Sequence, residues 1–222
     1  MIEKLQEFIK LAEALDKEAV IVSDDEFDPV KTITYPKPWI VLGCGNYAAV
    51  FAHPDHMDYV VKIYGRAKEG IKDEIEVYSR LGRHRGYSQC YYYGERFLVL
   101  KRIFGTTLFD CVHKGMKIEP TIIDEIDAAL DYARQRGLYP HDVHGKNVMI
   151  SNGHGVIVDV SDFLVKEDCG KWKDLKAAYH KLYRHTLYRF PIKIPYNVLN
   201  VVRIGYRWYR KISKIGKKGT KN

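Results

Sequence analysis

Acidic residues stop at Asp174. Residues 175–222 hold 13 lysines and arginines and no carboxylate, so the net charge of +8 resolves into +13 in that segment and −5 in the first 174 residues. A protein-wide basic surface, the footprint of a dedicated nucleic-acid-binding domain, is thereby excluded, and any basic contact belongs to the tail. Cysteine is sparse: the four residues Cys44, Cys90, Cys111 and Cys169 are scattered and form no CxxC pair. A zinc or disulfide framework is not the source of the fold, and a reducing cytoplasm is the expected compartment. No uninterrupted apolar run approaches the roughly 20 residues of a spanning helix. Residues 1–16 carry acids throughout and lack the apolar core of a secretory signal. No internal repeat is present. What remains is a chain of 222 residues, 46% hydrophobic, enough for one large domain or two small lobes around a cleft.

The hydrophobic periodicity changes along the chain. Leu5, Phe8, Ile9, Ala12 and Leu15 recur at spacings of three and four and predict a helix over 1–20. A short strand at 19–22 and an acidic turn at 24–26 follow. Residues 39–63 read as strands around a glycine loop, with a polar turn at 53–58. Residues 70–81 predict a helix with Ile71, Ile75, Tyr78 and Leu81 inward, and 90–93 and 97–100 a hairpin about Gly94-Glu95. A further amphipathic helix is expected over 121–136. Two short strands, 147–150 and 156–158, flank the turn signal Asn152-Gly153. Further helices are expected over 172–187 and from about 196 to 215, with 216–222 disordered. Strands first and helices afterwards suit an α+β chain with a β-rich lobe ahead of a helical one.

Three signals carry chemistry. The first is Leu42-Gly43-Cys44-Gly45-Asn46-Tyr47-Ala48-Ala49-Val50. Glycines let a backbone approach a phosphate closely. A strand follows, so a dinucleotide fold, in which a helix follows, is disfavoured, and the Gly-Lys-Ser/Thr ending of a P-loop is absent. An ordinary hairpin turn is the plain alternative. The second signal is Lys62, a charge in an otherwise apolar strand, where an unpaired ammonium would be costly to bury. Glu74, on the next helix, would meet it if helix and strand pack together, whereas Glu76 would point elsewhere. The third is Asp142, Asn147 and Asp159, a carboxylate, an amide and a carboxylate in order. Their oxygens are the hard ligands a Mg²⁺–phosphate site needs, and a carboxylate near an acceptor hydroxyl can take its proton.

In their order, Gly43-x-Gly45-x-x-Ala48-x-Val50, Val60-Val61-Lys62, Glu74, Asp142-x-x-x-x-Asn147 and Asp159 resemble the protein-kinase signature set. The likeness covers about residues 42–163, and residues 97–108 fit the hinge between lobes. The form Asp142-x-His144-x-x-Asn147 is similar to small bacterial serine/threonine kinases and to aminoglycoside-type phosphotransferases, with the bacterial kinase group closer. The resemblance implies a two-lobed fold, residues 1–100 forming the β-rich N-lobe and 101–222 the hinge, a reduced helical C-lobe and the basic tail. It implies ATP and Mg²⁺ as cofactors, a hydroxyl-bearing acceptor (protein Ser/Thr ahead of a small molecule), and a role for each residue. The loop of Gly43, Cys44, Gly45, Asn46, Tyr47 and Ala48 covers the phosphates. Lys62 holds them and pairs with Glu74. Asp142 is the catalytic base, and Asn147 and Asp159 bind the metal. Leu42, Val50, Val60 and Met149 sandwich the adenine, the backbone of Lys101 and Ile103 bonds its edge, and Leu100 backs the pocket. His144 stands near the transferred phosphoryl, where many kinases have lysine, so its help should weaken as pH rises.

The departures are specific. The His-Arg-Asp motif reads Pro140-His141-Asp142, so control by a phosphorylated loop is not expected. Asp-Phe-Gly reads Asp159-Val160-Ser161, with Asp162-Phe163 beside it as a decoy. No Ala-Pro-Glu follows, and Asp174, a candidate anchor for the next helix, is separated from Asp159 by only 14 residues. That short segment keeps open a small-molecule or lipid-head-group acceptor, and a partner-binding pseudokinase is a further alternative. The tail, 200–222, mixes basic with apolar and aromatic residues. It could pack Val202, Ile204, Trp208 and Ile212 on the helical lobe, lie on an anionic membrane surface, or bind an acidic partner or, secondarily, nucleic acid.

Overall fold

The computed structural model describes residues 2–24, 28–66, 69–167 and 169–218, so the expected acidic turn at 24–26 lies mostly outside the described residues. Helix α1 (Ile2–Glu18) leads into a two-stranded ribbon, β1 (Val20–Val22) with β2 (Lys31–Thr34). Five antiparallel strands follow: β3 (Ile40–Cys44), β4 (Ala48–Ala52), β5 (Tyr59–Tyr64), β6 (Cys90–Tyr93) and β7 (Phe97–Lys101), in the order β3-β4-β5-β7-β6. Helix α2 (Glu69–Leu81) sits between β5 and β6 in sequence.

Every residue of β5 is buried, because the sheet is covered on both faces. The period-two alternation of a strand decides which face each side chain serves. Tyr59, Val61 and Ile63 join Phe8, Ala12, Leu15, Trp39, Phe51 and Val99 in a core under α1. Val60 and Tyr64 join Ile71, Val77, Tyr78, Leu81, Leu98 and Leu100 on the α2 side. Lys62 shares the parity of Val60 and Tyr64, so it too is directed at α2.

The second half begins at a narrow crossing. Strand β8 (Thr106–Thr107) pairs with β9 (Val148–Ser151), which pairs with β10 (His154–Ile157). Gly105 is required there, since a Cβ would lie 2.3 Å from the Ile150 carbonyl oxygen. Asn152 and Gly153, at φ 50° and 79°, form the tight β9–β10 turn. Helix α3 (Leu108–Lys114) starts on the Thr107 side chain, which accepts the Asp110 N–H at 3.0 Å, and stops at Gly115 with φ 67°. Helix α4 (Pro120–Gln135) buries Ile122, Ile123, Ile126, Ala129, Leu130 and Ala133 and packs on β10. Helices α5 (Lys171–Lys181) and α6 (Tyr196–Lys218) complete the chain.

Two expectations need correction. The helix expected over 172–187 ends at Lys181, and a 3₁₀ turn follows over 183–185. The backbone expected to be disordered from Gly216 remains helical through Lys218. Strands β2 and β8 and helix α3 are additions, too short to show periodicity. Among the described residues no helix is long and apolar enough to cross a membrane, and the four cysteines are free thiols.

Candidate active site

Lys62 is 8% exposed and Glu74 is fully buried. Glu74 sits within the inward stripe Ile71, Val77, Tyr78 and Leu81 of α2, a position at which a carboxylate persists only with partners. It has them: the Lys62 Nζ lies 2.9 Å from Oε1 and 2.8 Å from Oε2, and the Tyr64 hydroxyl donates to Oε2. Glu76 pairs with Arg80 on the outer side. Lys62 also reaches Asp159 Oδ1 at 3.2 Å, across 97 residues of chain. Asp159 in turn accepts the Ser161 N–H at 3.2 Å and the Ser161 hydroxyl at 2.9 Å. Lys62 therefore bridges two carboxylates, one from each half of the molecule.

The electrostatics follow from burial and that bridge. Burial favours the neutral amine of Lys62, but the charges of Asp159 and Glu74 outweigh it and push the pKa up. Burial alone would raise Asp159, yet Lys62 and the two Ser161 donors hold it below the ordinary carboxylate value. Glu74 is raised because burial exceeds the help of Lys62. Asp162 is raised by burial and by the charges of Asp142 and Asp159 beside it.

Asp142, Asn147 and Asp159 line one small open pocket with His141, Ser161 and Asp162. Asp142 takes φ 54°, a left-handed turn that a short polar side chain tolerates. The turn is tied down: Asn147 Nδ2 donates to the Asp142 carbonyl at 3.1 Å, and the Tyr139 N–H to the Phe163 carbonyl at 2.7 Å. Because the Asn147 amide nitrogen is committed, its oxygen is the atom left for a ligand. The Val158 N–H bonds the Asn147 carbonyl at 3.0 Å and the Ile157 N–H the Gly86 carbonyl at 2.8 Å, which fixes the approach to Asp159. Phe163 of the decoy pair is fully buried in the core, edge-on to Tyr87. His144 Nε2 lies 3.8 Å from Asp142 Oδ2, and burial lowers the imidazole pKa.

The remaining predicted residues fall around this centre. The glycine loop is the tip of the β3–β4 hairpin: Gly43 pairs with Val50, Cys44 with Ala49, and the Gly45 N–H closes on the Ala48 carbonyl at 2.8 Å. Residues 42–47 are exposed and Ala48 is buried. The hairpin alternative therefore describes the local geometry, and the Gly45 N–H is committed within the loop. Burial, together with the charges of Asp162, Asp142 and Asp159, raises the Tyr47 hydroxyl pKa. Val60 and Leu100 face each other across β5 and β7 and are buried, Val50 and Met149 are half-buried, and Leu42 is exposed. The Lys101 N–H donates to Gln89 at 2.8 Å and its carbonyl accepts Ser88 Oγ at 2.7 Å, leaving one carbonyl lone pair. Ile103 is half-buried in the connection after β7. Asp174 lies in the first turn of α5 and accepts the Tyr206 hydroxyl of α6 at 2.8 Å.

Lys171 was not among the sequence candidates. Its ammonium ion-pairs with Asp142 Oδ1. Among the described residues no cluster of three His, Cys, Asp or Glu side chains would hold a metal alone. The oxygens of Asn147 and Asp159 nevertheless fit Mg²⁺, which is bound through one or two carboxylates together with substrate phosphates. The crowding of Asp142, Asp159 and Asp162, visible in the raised Asp162, is a further reason for a cation to settle there.

Comparison with known proteins places the chain in a family. The chain is 31% identical over 205 residues, 90% of its length and 94% of the relative's, to a Bacillus subtilis protein named "Putative serine/threonine-protein kinase YrzF". The chain belongs to the protein-kinase-like family. A shorter match, 25% identical over 83 residues, joins 35% of this kinase-like chain to 8% of the serine/threonine-protein kinase KSP1 of Saccharomyces cerevisiae. No family model matches. The PknI kinase domain of Mycobacterium tuberculosis superposes with TM-score 0.44 at 22% identity, over 56% of this chain and 60% of that one. With the YrzF match, the element order described above makes this a kinase-like α+β fold whose β-rich part comes first.

Proposed function

We propose that this protein is an ATP- and Mg²⁺-dependent phosphotransferase whose acceptor is a serine or threonine hydroxyl of a protein. The Lys62 bridge between Glu74 and Asp159 is the observation that carries the reading. It ties Lys62 and Glu74 to Asp159, which lines a pocket together with Asp142 and Asn147. In this reading residues 1–100 form the ATP-covering lobe and 101–222 the hinge and acceptor lobe. Lys62 binds the nucleotide phosphates and is oriented by Glu74. Asn147 and Asp159 hold Mg²⁺, which supplies charge neutralisation at the transferring phosphoryl. Asp142, turned into the pocket by its own loop, accepts the proton of the acceptor hydroxyl. Val60, Leu100, Val50 and Met149 provide the apolar walls for adenine. Burial lowers the pKa of His144 and so disfavours its charged form.

A small-molecule or lipid-head-group acceptor is the second reading, favoured by the 14 residues that separate Asp159 from Asp174, which leave little segment to seat a peptide. Labelled ATP with Mg²⁺, incubated with and without a generic protein acceptor, distinguishes the two. Transfer to protein supports the first; turnover only with small hydroxyl compounds supports the second; no turnover at all sinks both.

The tail has its own proposed partner, an anionic lipid surface reached from the cytoplasm. Val198, Val201, Val202 and Ile204 of α6 are 50%, 68%, 64% and 50% exposed, against the expectation that Val202 and Ile204 pack on the helical lobe. The side chain of Ile212 lies outside the described residues. Residues 203–218 contribute seven lysines and arginines and no acid. A basic helix with an uncovered apolar face gains both insertion and charge attraction at such a surface. A nucleic acid would use the charge and leave the apolar face wet. Sedimentation with vesicles containing phosphatidylglycerol is expected, with none on pure phosphatidylcholine vesicles. Val201→Asp combined with Val202→Asp should weaken binding at least about tenfold, since it removes insertion and adds repulsion. Unchanged binding by that variant rules the surface out.

A further inference from the structure

We propose that Lys171 is the second fixed cation of the catalytic site, a positioning residue that holds the Asp142 carboxylate and supplies the positive charge beside it. The inference deepens the phosphotransferase reading and rests on it.

The charge distribution calls for such a group. Asp142, Asp159 and Asp162 line one pocket, and Lys62 is already shared between Asp159 and the buried Glu74. Asp142 needs a cation of its own. His144 occupies the sequence position where the resembled kinases carry lysine, but it stays 3.8 Å from Asp142 Oδ2, beyond hydrogen-bonding distance. Lys171 contacts the other oxygen, Oδ1, directly.

Lys171 is held where it is by structure on both sides. Two residues before it, Cys169 Sγ accepts the Asp142 N–H at 3.3 Å, so the segment leading into α5 packs on the catalytic turn through two separate contacts. After it, Asp127 of α4 grips the start of α5 twice, accepting Trp172 Nε1 and Lys176 Nζ at 2.7 Å each. Lys171 is also the first residue of α5, where the helix dipole opposes a positive charge. Helix stability does not account for a lysine there, whereas the Asp142 carboxylate does.

The test uses Lys171→Met, Lys171→Arg and Lys171→Gln in the full chain. Lys171→Met is expected to lower kcat about 10²-fold, the scale of losing one charge-stabilising group, with KM for ATP within threefold. Lys171→Arg should recover most of the rate, because it restores the charge. In nucleotide-free protein, the denaturation midpoints of Lys171→Met, Asp142→Asn and the double variant should be non-additive, as expected for groups in contact. Wild-type or higher kcat in Lys171→Met, or additive midpoints, overturns the proposal. If Lys171→Met fails to fold, the same comparison is read from Lys171→Gln. Full activity in Lys171→Met together with a dead Asp142→Ala defeats the proposal alone. Full activity in both removes Asp142 from the catalytic role, whereas no turnover by the wild-type protein defeats the phosphotransferase reading itself.

Discussion

Replacing Asp142 by alanine is expected to lower phosphoryl transfer by about 10³-fold, within the range for loss of a general base, while ATP–Mg²⁺ affinity changes by less than about threefold. The two outcomes separate because the residues that would hold nucleotide and metal form a unit without the Asp142 side chain. Lys62, Glu74, Asp159 and Ser161 bond one another, and Asn147 is oriented by the Asp142 carbonyl, a backbone atom that alanine retains. The variant should also fold. Asp142 Oδ1 and Lys171 are both partly exposed, so the lysine left behind can turn to water and avoid an uncompensated buried charge. Calorimetric titration with ATP–Mg²⁺ and a single-turnover transfer assay measure the two quantities. Asp159→Ala is the contrasting control, expected to lose both. Wild-type transfer by Asp142→Ala would remove it from the catalytic role.

Legibility in the sequence followed the range over which each signal acts. Helices α1, α2 and α4 were legible because their apolar stripes run over several turns, and β4, β5, β9 and β10 because short apolar runs are bounded by turn residues. Glu74 was legible for the same reason: it interrupts the α2 stripe, as Lys62 interrupts β5, and two charges facing inward from neighbouring elements imply each other. Asp159 was preferred to Asp162 as the metal-binding aspartate because the apolar run 156–158 leads into it, and it is Asp159 that makes the 3.2 Å contact with Lys62. Lys171 was invisible because a lone lysine before a tryptophan has no pattern; its partner is 29 residues away and meets it only through the turn at Asp142. The exposed apolar face of α6 was misjudged in one reading, since periodicity reveals an amphipathic helix but not what covers it. Helix α3 could have been found from Thr107 and Gly115, a cap and a stop that enclose seven residues.

The largest stability effect is expected at Glu74. Glu74→Ala leaves the Lys62 ammonium buried with Asp159 as its one remaining carboxylate partner, and removes the acceptor of the Tyr64 hydroxyl. Breaking a buried ion pair by deleting one partner costs about 3–5 kcal/mol. The remaining Asp159 contact argues for the lower end, about 3 kcal/mol, a large share of the roughly 5–15 kcal/mol that holds a domain together. Glu74→Gln keeps a hydrogen-bond acceptor and should lose less. The informative variant is the pair Lys62→Met with Glu74→Leu. Replacing both charges by apolar groups of similar volume removes the desolvation cost along with the attraction, so stability should recover most of the Glu74→Ala loss, short of wild type because Asp159 loses its Lys62 contact. Phosphoryl transfer should not return with it, because the cation that would hold the nucleotide phosphates is gone. Urea denaturation and the transfer assay on the same four proteins separate what the bridge does for the fold from what it does for the reaction. A Glu74→Ala protein as stable as wild type would mean that Lys62 finds adequate compensation without it, and that α2 is not held to the sheet through this pair.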